Sequence, residues 1–170
     1  MSKFFTTSYQ DFSIREGLKP GDLGYITYLH GTIYSTEYGF NTTFEPYVAK
    51  PLSDFSLSED KKGQKIWVVE RKDRVVGSIA IVRQTVEEAQ LRWLILDSDS
   101  RGFGLGRKLI ELALDFCHEV GYHKVFLWTV SILGAAAHLY TSFGFHRTEW
   151  KKNTIWGREL TEEKYELVLN

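Results

Sequence analysis

The chain has 170 residues, of which 43% are hydrophobic and 25% charged, and its formal net charge is −1. These values are typical of a globular protein with one domain, and we predict a single domain over residues 1–170. The near-neutral charge excludes a protein that binds nucleic acid or anionic membranes through bulk charge. No apolar run reaches the roughly 20 residues of a membrane-spanning helix, so we expect no membrane partner. The single cysteine and an N-terminus without a long apolar stretch favour a cytoplasmic protein.

Strand and helix patterns follow one another along the first half of the chain. In order, they predict a strand over 12–16, a helix from Asp22, an irregular linker over 34–40, a helix over 44–55, and strands over 65–70, 75–82 and 89–96. We expect Pro51 to break or kink the second helix, because proline lacks a backbone donor. The strands over 65–70 and 75–82 form a hairpin about Lys72-Asp73-Arg74.

The second half of the chain shows a similar succession of elements. It predicts a helix from 105 to near Gly121, a strand over 124–128, a helix from 131 or 134 to 143, and strands over 145–150 and 164–169. Glycine at the end of a helix is a common terminating residue, which favours Gly121 and Gly144 as helix ends.

A glycine-rich segment, Arg101-Gly102-Phe103-Gly104-Leu105-Gly106-Arg107-Lys108, joins the strand over 89–96 to the next helix. Glycine lets backbone N–H groups approach a ligand closely, and the N-terminus of a helix attracts anions. Arg101, Arg107 and Lys108 add positive charge, so we expect a phosphate-bearing ligand here. The alternative is a turn that only begins a helix.

Spacing excludes two common phosphate-binding loops. The loop of nucleoside-triphosphate enzymes needs a lysine followed by Ser or Thr, and the glycine-rich segment has no such pair. The dinucleotide fingerprint needs a third glycine where this chain has Arg107 or Leu109.

Two motifs instead match one family. Arg101-x-x-Gly104-x-Gly106 fits the pattern Q/R-x-x-G-x-G/A, and Leu139-Tyr140 followed by Gly144-Phe145 fits A-x-x-L-Y-x-x-x-G-F. Together they resemble the GCN5-related N-acetyltransferase (GNAT) family, over essentially the whole chain. Further segments are similar to the acetyltransferase domain that some bacterial proteins carry behind a MarR-type winged helix, which is absent here. Those segments are Leu29-His30-Gly31, Glu37-Tyr38-Gly39-Phe40, Gln90-Leu91-Arg92-Trp93 and Leu127-Trp128-Thr129.

The resemblance implies a mixed α/β fold. Its mostly antiparallel sheet would have six to seven strands flanked by about four helices, and would be splayed between strands 4 and 5. It also implies transfer of an acetyl group from acetyl-coenzyme A to a primary amine, by direct attack in a ternary complex and without a metal. The acceptor would be a small-molecule or peptide amine, and the protein a monomer or homodimer.

The resemblance places the coenzyme along the strand over 89–96 and the glycine-rich segment. An amide near Leu94 would polarise the thioester carbonyl, which is usually the largest catalytic term. Leu133 stands where many relatives carry an asparagine that contacts the coenzyme, so the helix here would contact it through its backbone, through Ser131 or not at all. The residues so assigned are Leu94, Ile95, Leu96, Arg101, Gly102, Phe103, Gly104, Leu105, Gly106, Arg107 and Ser131.

For catalysis, the resemblance makes Tyr140 the general acid that protonates the departing sulfur. A phenol of pKa about 10 is a weaker acid than a thiol of pKa about 8.5, so this transfer is uphill by about 2 kcal/mol. The general base is open among Glu88, Glu37 and His30, since Gln90 stands where many relatives have a glutamate. Gln90 also favours the alternative function, a non-catalytic module that binds or senses acyl-coenzyme A.

Two further sets of residues allow a structural or a functional interpretation. Cys117 lies within an apolar helix with no activating partner nearby in sequence, so we expect buried packing rather than nucleophilic chemistry. Trp150, Trp156 and residues 34–40 either line the acceptor site or cover the ends of the sheet. The five histidines show no metal-ligand spacing.

Overall fold

The computed structural model describes residues 11–170, which form one seven-stranded sheet with helices on both faces. The elements are β1 (Phe12–Glu16), α1 (Asp22–Tyr38), α2 (Phe44–Leu57), β2 (Lys65–Arg71), β3 (Arg74–Arg83), β4 (Glu88–Leu96), a short 3-10 helix (Ser98–Ser100), α3 (Leu105–Val120), β5 (Lys124–Val130), α4 (Gly134–Ser142), β6 (His146–Ile155) and β7 (Arg158–Val168). The strand order is β1-β2-β3-β4-β5-β7-β6. Only the β4–β5 pair is parallel among these strands. The predicted mixed, mostly antiparallel fold is confirmed.

Each face of the sheet carries its own hydrophobic core. Helices α1 and α2 cover one face through residues such as Ile26 and Leu52, which are fully buried. Helix α3 covers the other face, where Leu109, Ala113 and Cys117 follow helical spacing and are likewise fully buried. The prediction that Cys117 packs in the core is confirmed. Burial raises the pKa of its thiol to about 12, so it is not a nucleophile at neutral pH.

The two central strands separate along their length. β4 and β5 pair only where residues 88–90 face residues 124–126. On its other side β4 carries a β-bulge, because Ala80 pairs with Arg92 while Ser78 pairs with Ile95. Trp93, inside this bulge, has a φ of 52°, which a bulky residue adopts only under constraint. The buried Ser78 hydroxyl donates to the Trp93 carbonyl at 2.7 Å. The predicted splay between strands 4 and 5 is confirmed.

Two helices are longer than predicted. The interpretation of residues 34–40 as an irregular linker is wrong, since α1 continues to Tyr38 and ends at Gly39, whose φ is 70°. Tyr34 stays helical because its ring packs 4.6 Å from the Phe44 ring. Helix α2 runs through Pro51 without ending there. No helix within residues 11–170 combines the length and the apolar character that crossing a bilayer requires.

The C-terminal hairpin of β6 and β7 is also longer than the predicted strands over 145–150 and 164–169. Its two-residue turn, Trp156-Gly157, has φ values of 51° and 85°, which fits a tight hairpin turn. The sequence hides β6 because nearly all of its residues are exposed and show no apolar alternation. The turn reaches the α1–α2 connection, where the Asn41 amide donates to the Trp156 carbonyl at 2.9 Å.

Candidate active site

The glycine-rich segment forms a tight turn into α3. Gly102 and Gly104 have φ values of 82° and 77°, and Gly104 is the N-cap of the helix. The backbone amides of residues 102–107 find no acceptor within residues 11–170. Unpaired N–H groups at a helix start carry partial positive charge. This turn can therefore bind an anion through its backbone.

Close packing fixes the turn against β4 and α4. A Cβ at Gly106 would lie 3.2 Å from Leu139 Cδ2 and 3.8 Å from Leu96 Cδ1, so the three elements pack closely here and a side chain larger than a methyl group would push them apart. The Arg107 side chain donates to the Ser142 hydroxyl at 3.1 Å and lies over the Phe143 ring at 4.9 Å. Arg107 thus docks α3 onto α4, and its amide remains available.

A cavity occupies the gap between the separated ends of β4 and β5. It encloses about 940 Å³ of empty space, part of it open to solvent. Its walls come from both faces of the sheet and include α1, α2, α4 and the β6–β7 turn. The aromatic side chains that line it include Tyr34, Phe40, Phe44, Tyr47, Trp93, Tyr140 and Trp156.

Tyr140 lies in the wall of this cavity and is 7% exposed. Burial raises the pKa of its hydroxyl above the ordinary value, and the neighbouring Tyr34 raises it further. The pKa of Tyr34 is raised chiefly by burial as well. Both hydroxyls are therefore protonated at neutral pH and can donate hydrogen bonds. Within residues 11–170, the Tyr140 hydroxyl has no hydrogen-bond partner of its own.

His30 is the one candidate base that lines the cavity. Its Nδ1 lies 2.8 Å from the Ile26 carbonyl, so a neutral ring donates from Nδ1 and keeps Nε2 as an acceptor. Burial lowers the pKa of His30 to about 4. At neutral pH the ring is uncharged and weakly basic.

Neither candidate carboxylate lines the cavity. Glu88 lies at the paired end of β4 and binds the Lys124 ammonium at 2.7 Å. Glu37 lies in the last turn of α1 and binds the Arg101 guanidinium at 2.9 Å. Arg101 also donates to the Leu96 carbonyl at 3.2 Å, which ties the glycine-rich segment to the end of β4. The geometry supports neither carboxylate as the base.

Some of the remaining predicted residues line the cavity and others lie outside it. Trp156 lies in the cavity wall, whereas Trp150 on β6 is 61% exposed. Ser131 lies in a shallow cleft beside β6 and β7, and its amide donates to the Thr161 carbonyl at 2.9 Å. Leu133, not Ser131, lines the cavity. Phe103 is half-exposed, and its ring centroid is 5.3 Å from that of Phe12.

The profile of the "Acetyltransferase (GNAT) family" matches residues 32–145, which is more than half of the chain. The chain belongs to the GNAT family. The match includes the end of α1, the splayed strands, the glycine-rich segment and α4.

Curated relatives of this GNAT chain are N-acetyltransferases. Human N-acetyltransferase 8 is 32% identical over 113 residues, which are 63% of this chain and 50% of the human protein. The uncharacterized N-acetyltransferase YjgM of Escherichia coli is 31% identical over 120 residues, or 68% of this chain and 72% of YjgM. The chain spans about half the length of the human relatives that it matches.

Solved structures show the same GNAT fold. An acetyltransferase from Streptococcus agalactiae superposes with a TM-score of 0.79 at 19% identity, over 95% of this chain and 100% of the other. The putative acetyltransferase yncA of Salmonella typhimurium was solved with its cofactor acetyl-CoA. It superposes with a TM-score of 0.74 at 20% identity, over 94% and 95% of the two chains.

Arg92 is a residue of the cavity wall that sequence reasoning did not assign to the site. It lines the cavity together with Gln90, two positions earlier on the same strand. The available signal was the alternation of Glu88, Gln90 and Arg92 on one half-buried face of β4, because a partly buried charge needs a partner or a ligand. Ser78, which holds the bulge, offered no comparable signal.

Proposed function

We propose that this GNAT chain is a single N-acetyltransferase domain, which transfers an acetyl group from acetyl-coenzyme A to a primary amine by direct attack in a ternary complex. The observation that carries this proposal is the cavity in the β4–β5 splay, which has Tyr140 in its wall and Leu94 at its β4 side. The acetyl-CoA bound to yncA, a protein of the same fold, supports it. Within the family we infer a closer likeness to the acetyltransferase domains fused to MarR-type regulators.

In this proposal the coenzyme lies along the end of β4. The backbone of residues 94–96 pairs with the pantetheine arm, and the free amides of residues 102–107 hold the diphosphate. Arg101 lies beside those amides, and its guanidinium is paired with Glu37. We assign no coenzyme contact to the Ser131 side chain, because it lies outside the cavity.

The chemistry needs no covalent enzyme intermediate. The amine nitrogen attacks the thioester carbon, a C–N bond forms and the C–S bond breaks. The developing oxyanion accepts a hydrogen bond from the amide near Leu94. One amine proton replaces the acetyl group on sulfur, so the products are an amide and a free thiol.

Tyr140 acts on the sulfur as a hydrogen-bond donor. Its raised pKa makes complete proton transfer to a thiolate harder than for an ordinary phenol, because the phenolate would be buried. The same burial strengthens a hydrogen bond to a negatively charged sulfur. We therefore place the contribution of Tyr140 in stabilising the leaving thiolate.

We assign the deprotonation of the amine to water. A lysine-like amine of pKa about 10.4 is neutral about once in 2,500 molecules at pH 7, which corresponds to about 4.6 kcal/mol. Glu37 and Glu88 are held in ion pairs away from the cavity. His30 is too weak a base at a pKa of about 4, and we propose that its Nε2 orients the amine by accepting an N–H.

The direct experiment incubates the protein with acetyl-coenzyme A and a panel of primary amines, and measures thiol release together with N-acetylated product. We expect thiol release that depends on the amine and matches the product one to one. The rival function, a module that senses acyl-coenzyme A, is favoured by Gln90 in the cavity wall. Tight coenzyme binding in a calorimetric titration, without amine-dependent release for any amine, would establish the rival.

A further inference from the structure

The cavity wall holds two charged side chains, of which one is paired within the described part of the chain and the other is not. Two charged side chains line it, Glu162 on β7 and Arg92 on β4. Glu162 accepts from the Asn153 amide at 2.7 Å and lies 3.6 Å from the Lys151 ammonium. Arg92 has neither an ion-pair partner nor a hydrogen-bond acceptor within residues 11–170. Its guanidinium lies 5.1 Å from the centre of the Trp93 ring, which it contacts through its face.

A partly buried guanidinium without an acceptor from the protein is unfavourable. Arginine carries five N–H donors, and partial burial removes water from them without supplying acceptors. This loss of hydration lowers the pKa of Arg92, and the nearby Tyr47 hydroxyl opposes the shift. A carboxylate would compensate, because it accepts two parallel hydrogen bonds from the planar guanidinium.

The side chains around Arg92 indicate which chemical group is attached to the carboxylate of that ligand. Phe44, Tyr47 and Trp156 form an aromatic wall, in which the Trp156 ring lies 4.9 Å from each of the other two. Such a wall binds a flat or large apolar group. Leu94, where the thioester is proposed to lie, is two residues from Arg92 on β4, on the other side of the bulge at Trp93.

We propose that the acceptor is a free α-amino acid with an aromatic or large apolar side chain. Arg92 binds its carboxylate, and Phe44, Tyr47 and Trp156 bind its side chain. The α-amine, on the carbon that bears the carboxylate, is then directed along β4 toward the thioester. This inference rests on the proposed N-acetyltransferase function and names its acceptor class.

The test on the unmodified protein compares three acceptors that share one ring: phenylalanine, phenylalaninamide and 2-phenylethylamine. We expect kcat/KM for phenylalanine to exceed that for phenylalaninamide by about 10- to 100-fold, the factor for a charge-assisted hydrogen bond. Both values of kcat/KM are expressed per neutral amine, because the amine of the amide is less basic and a larger fraction of it is neutral at pH 7. A preference for the acid therefore reports recognition of the carboxylate.

The test on variants uses Arg92→Gln and Arg92→Lys. Arg92→Gln brings the acid-to-amide ratio close to one and leaves the KM for acetyl-coenzyme A unchanged. Arg92→Lys gives an intermediate ratio, since it keeps the charge and loses the planar fork. Arg83→Gln, at the exposed end of β3, is the matched control and keeps the full preference.

Equal use of acid and amide by the unmodified protein overturns the inference, whether or not the variants fold. Better use of a phenylalanyl peptide than of phenylalanine overturns it too. If a folded Arg92→Gln variant keeps the preference for the acid, Arg92 does not bind the carboxylate. Thiol release with 2-phenylethylamine but no preference for the acid contradicts this inference alone. No release with any amine contradicts the proposed function.

Discussion

The turn at the start of α3 presents backbone amides, whereas the cavity in the splay presents side chains from α1, α2, β4, α4 and the β6–β7 turn. The amides depend on the conformation of a few consecutive residues. The cavity wall depends on packing between residues such as Phe44 and Trp156, which are far apart in the chain. The proposed site for the acetyl donor is thus a local property of the chain, and the proposed site for the acceptor is a property of the whole fold.

The largest expected effect tests whether the turn acts through its backbone. Gly104 and Gly121 cap opposite ends of α3 with φ values of 77° and 85°, so valine strains both positions alike. We expect Gly104→Val to raise the KM for acetyl-coenzyme A by about 100-fold, because phosphate-binding amides are displaced. Gly121→Val should leave that KM unchanged. Equal changes in both variants would mean that helix stability, not amide geometry, controls binding.

The second prediction concerns the buried ring in the acceptor wall. His30 has a pKa of about 4 when folded, against about 6.5 when unfolded, so the unfolded chain binds more protons between these values. Stability is therefore present above pH 6.5 and is lost as pH falls toward 4. From pH 7 to pH 5 this amounts to about 2 kcal/mol in the free energy of unfolding.

Urea unfolding at the two pH values measures this difference. His30→Leu should abolish the His30 contribution, while His118→Leu, at an exposed position of α3, should retain it. An unchanged pH dependence in His30→Leu would show that His30 is not neutral in the folded protein.

A smaller effect separates chemistry from donor binding. Tyr140→Phe removes a hydroxyl without changing the ring, and we expect kcat to fall by about 10-fold with little change in the KM for acetyl-coenzyme A. The control is Tyr122→Phe, whose hydroxyl donates to the Gly63 carbonyl away from the cavity. If kcat were insensitive to Tyr140→Phe, another group would have to stabilise the thiolate.

The smallest effect addresses the aromatic wall. Trp156→Ala should raise the KM for the acceptor by about 5-fold and leave that for acetyl-coenzyme A unchanged. Trp150→Ala, on the exposed strand β6, should change neither constant. A change in the donor KM for Trp156→Ala would contradict the separation of the two regions.

The sequence predicted the local features of the glycine-rich turn at the start of α3. The glycine spacing fixed where α3 begins, and resemblance to the family supplied the splay. The ion pairs Glu37–Arg101 and Glu88–Lys124 were out of reach, because each joins elements that the fold alone brings together. Both carboxylates thus seemed available as bases. The long β6–β7 hairpin escaped for another reason, since exposed charged strands show no apolar alternation.

The extra residue in the bulge at Trp93 decides which side chains of β4 face the proposed acceptor site. Before it, Ala89 and Leu91 pack on the α3 side of the sheet, and after it Trp93 and Ile95 pack on the α1–α2 side. Arg92 and Trp93, adjacent in sequence, therefore share one face, which strict alternation forbids. Deleting one residue here would restore alternation and turn Trp93 away from Arg92. A single insertion or deletion in β4 is thus a route by which evolution remodels the acceptor pocket and spares the glycine turn.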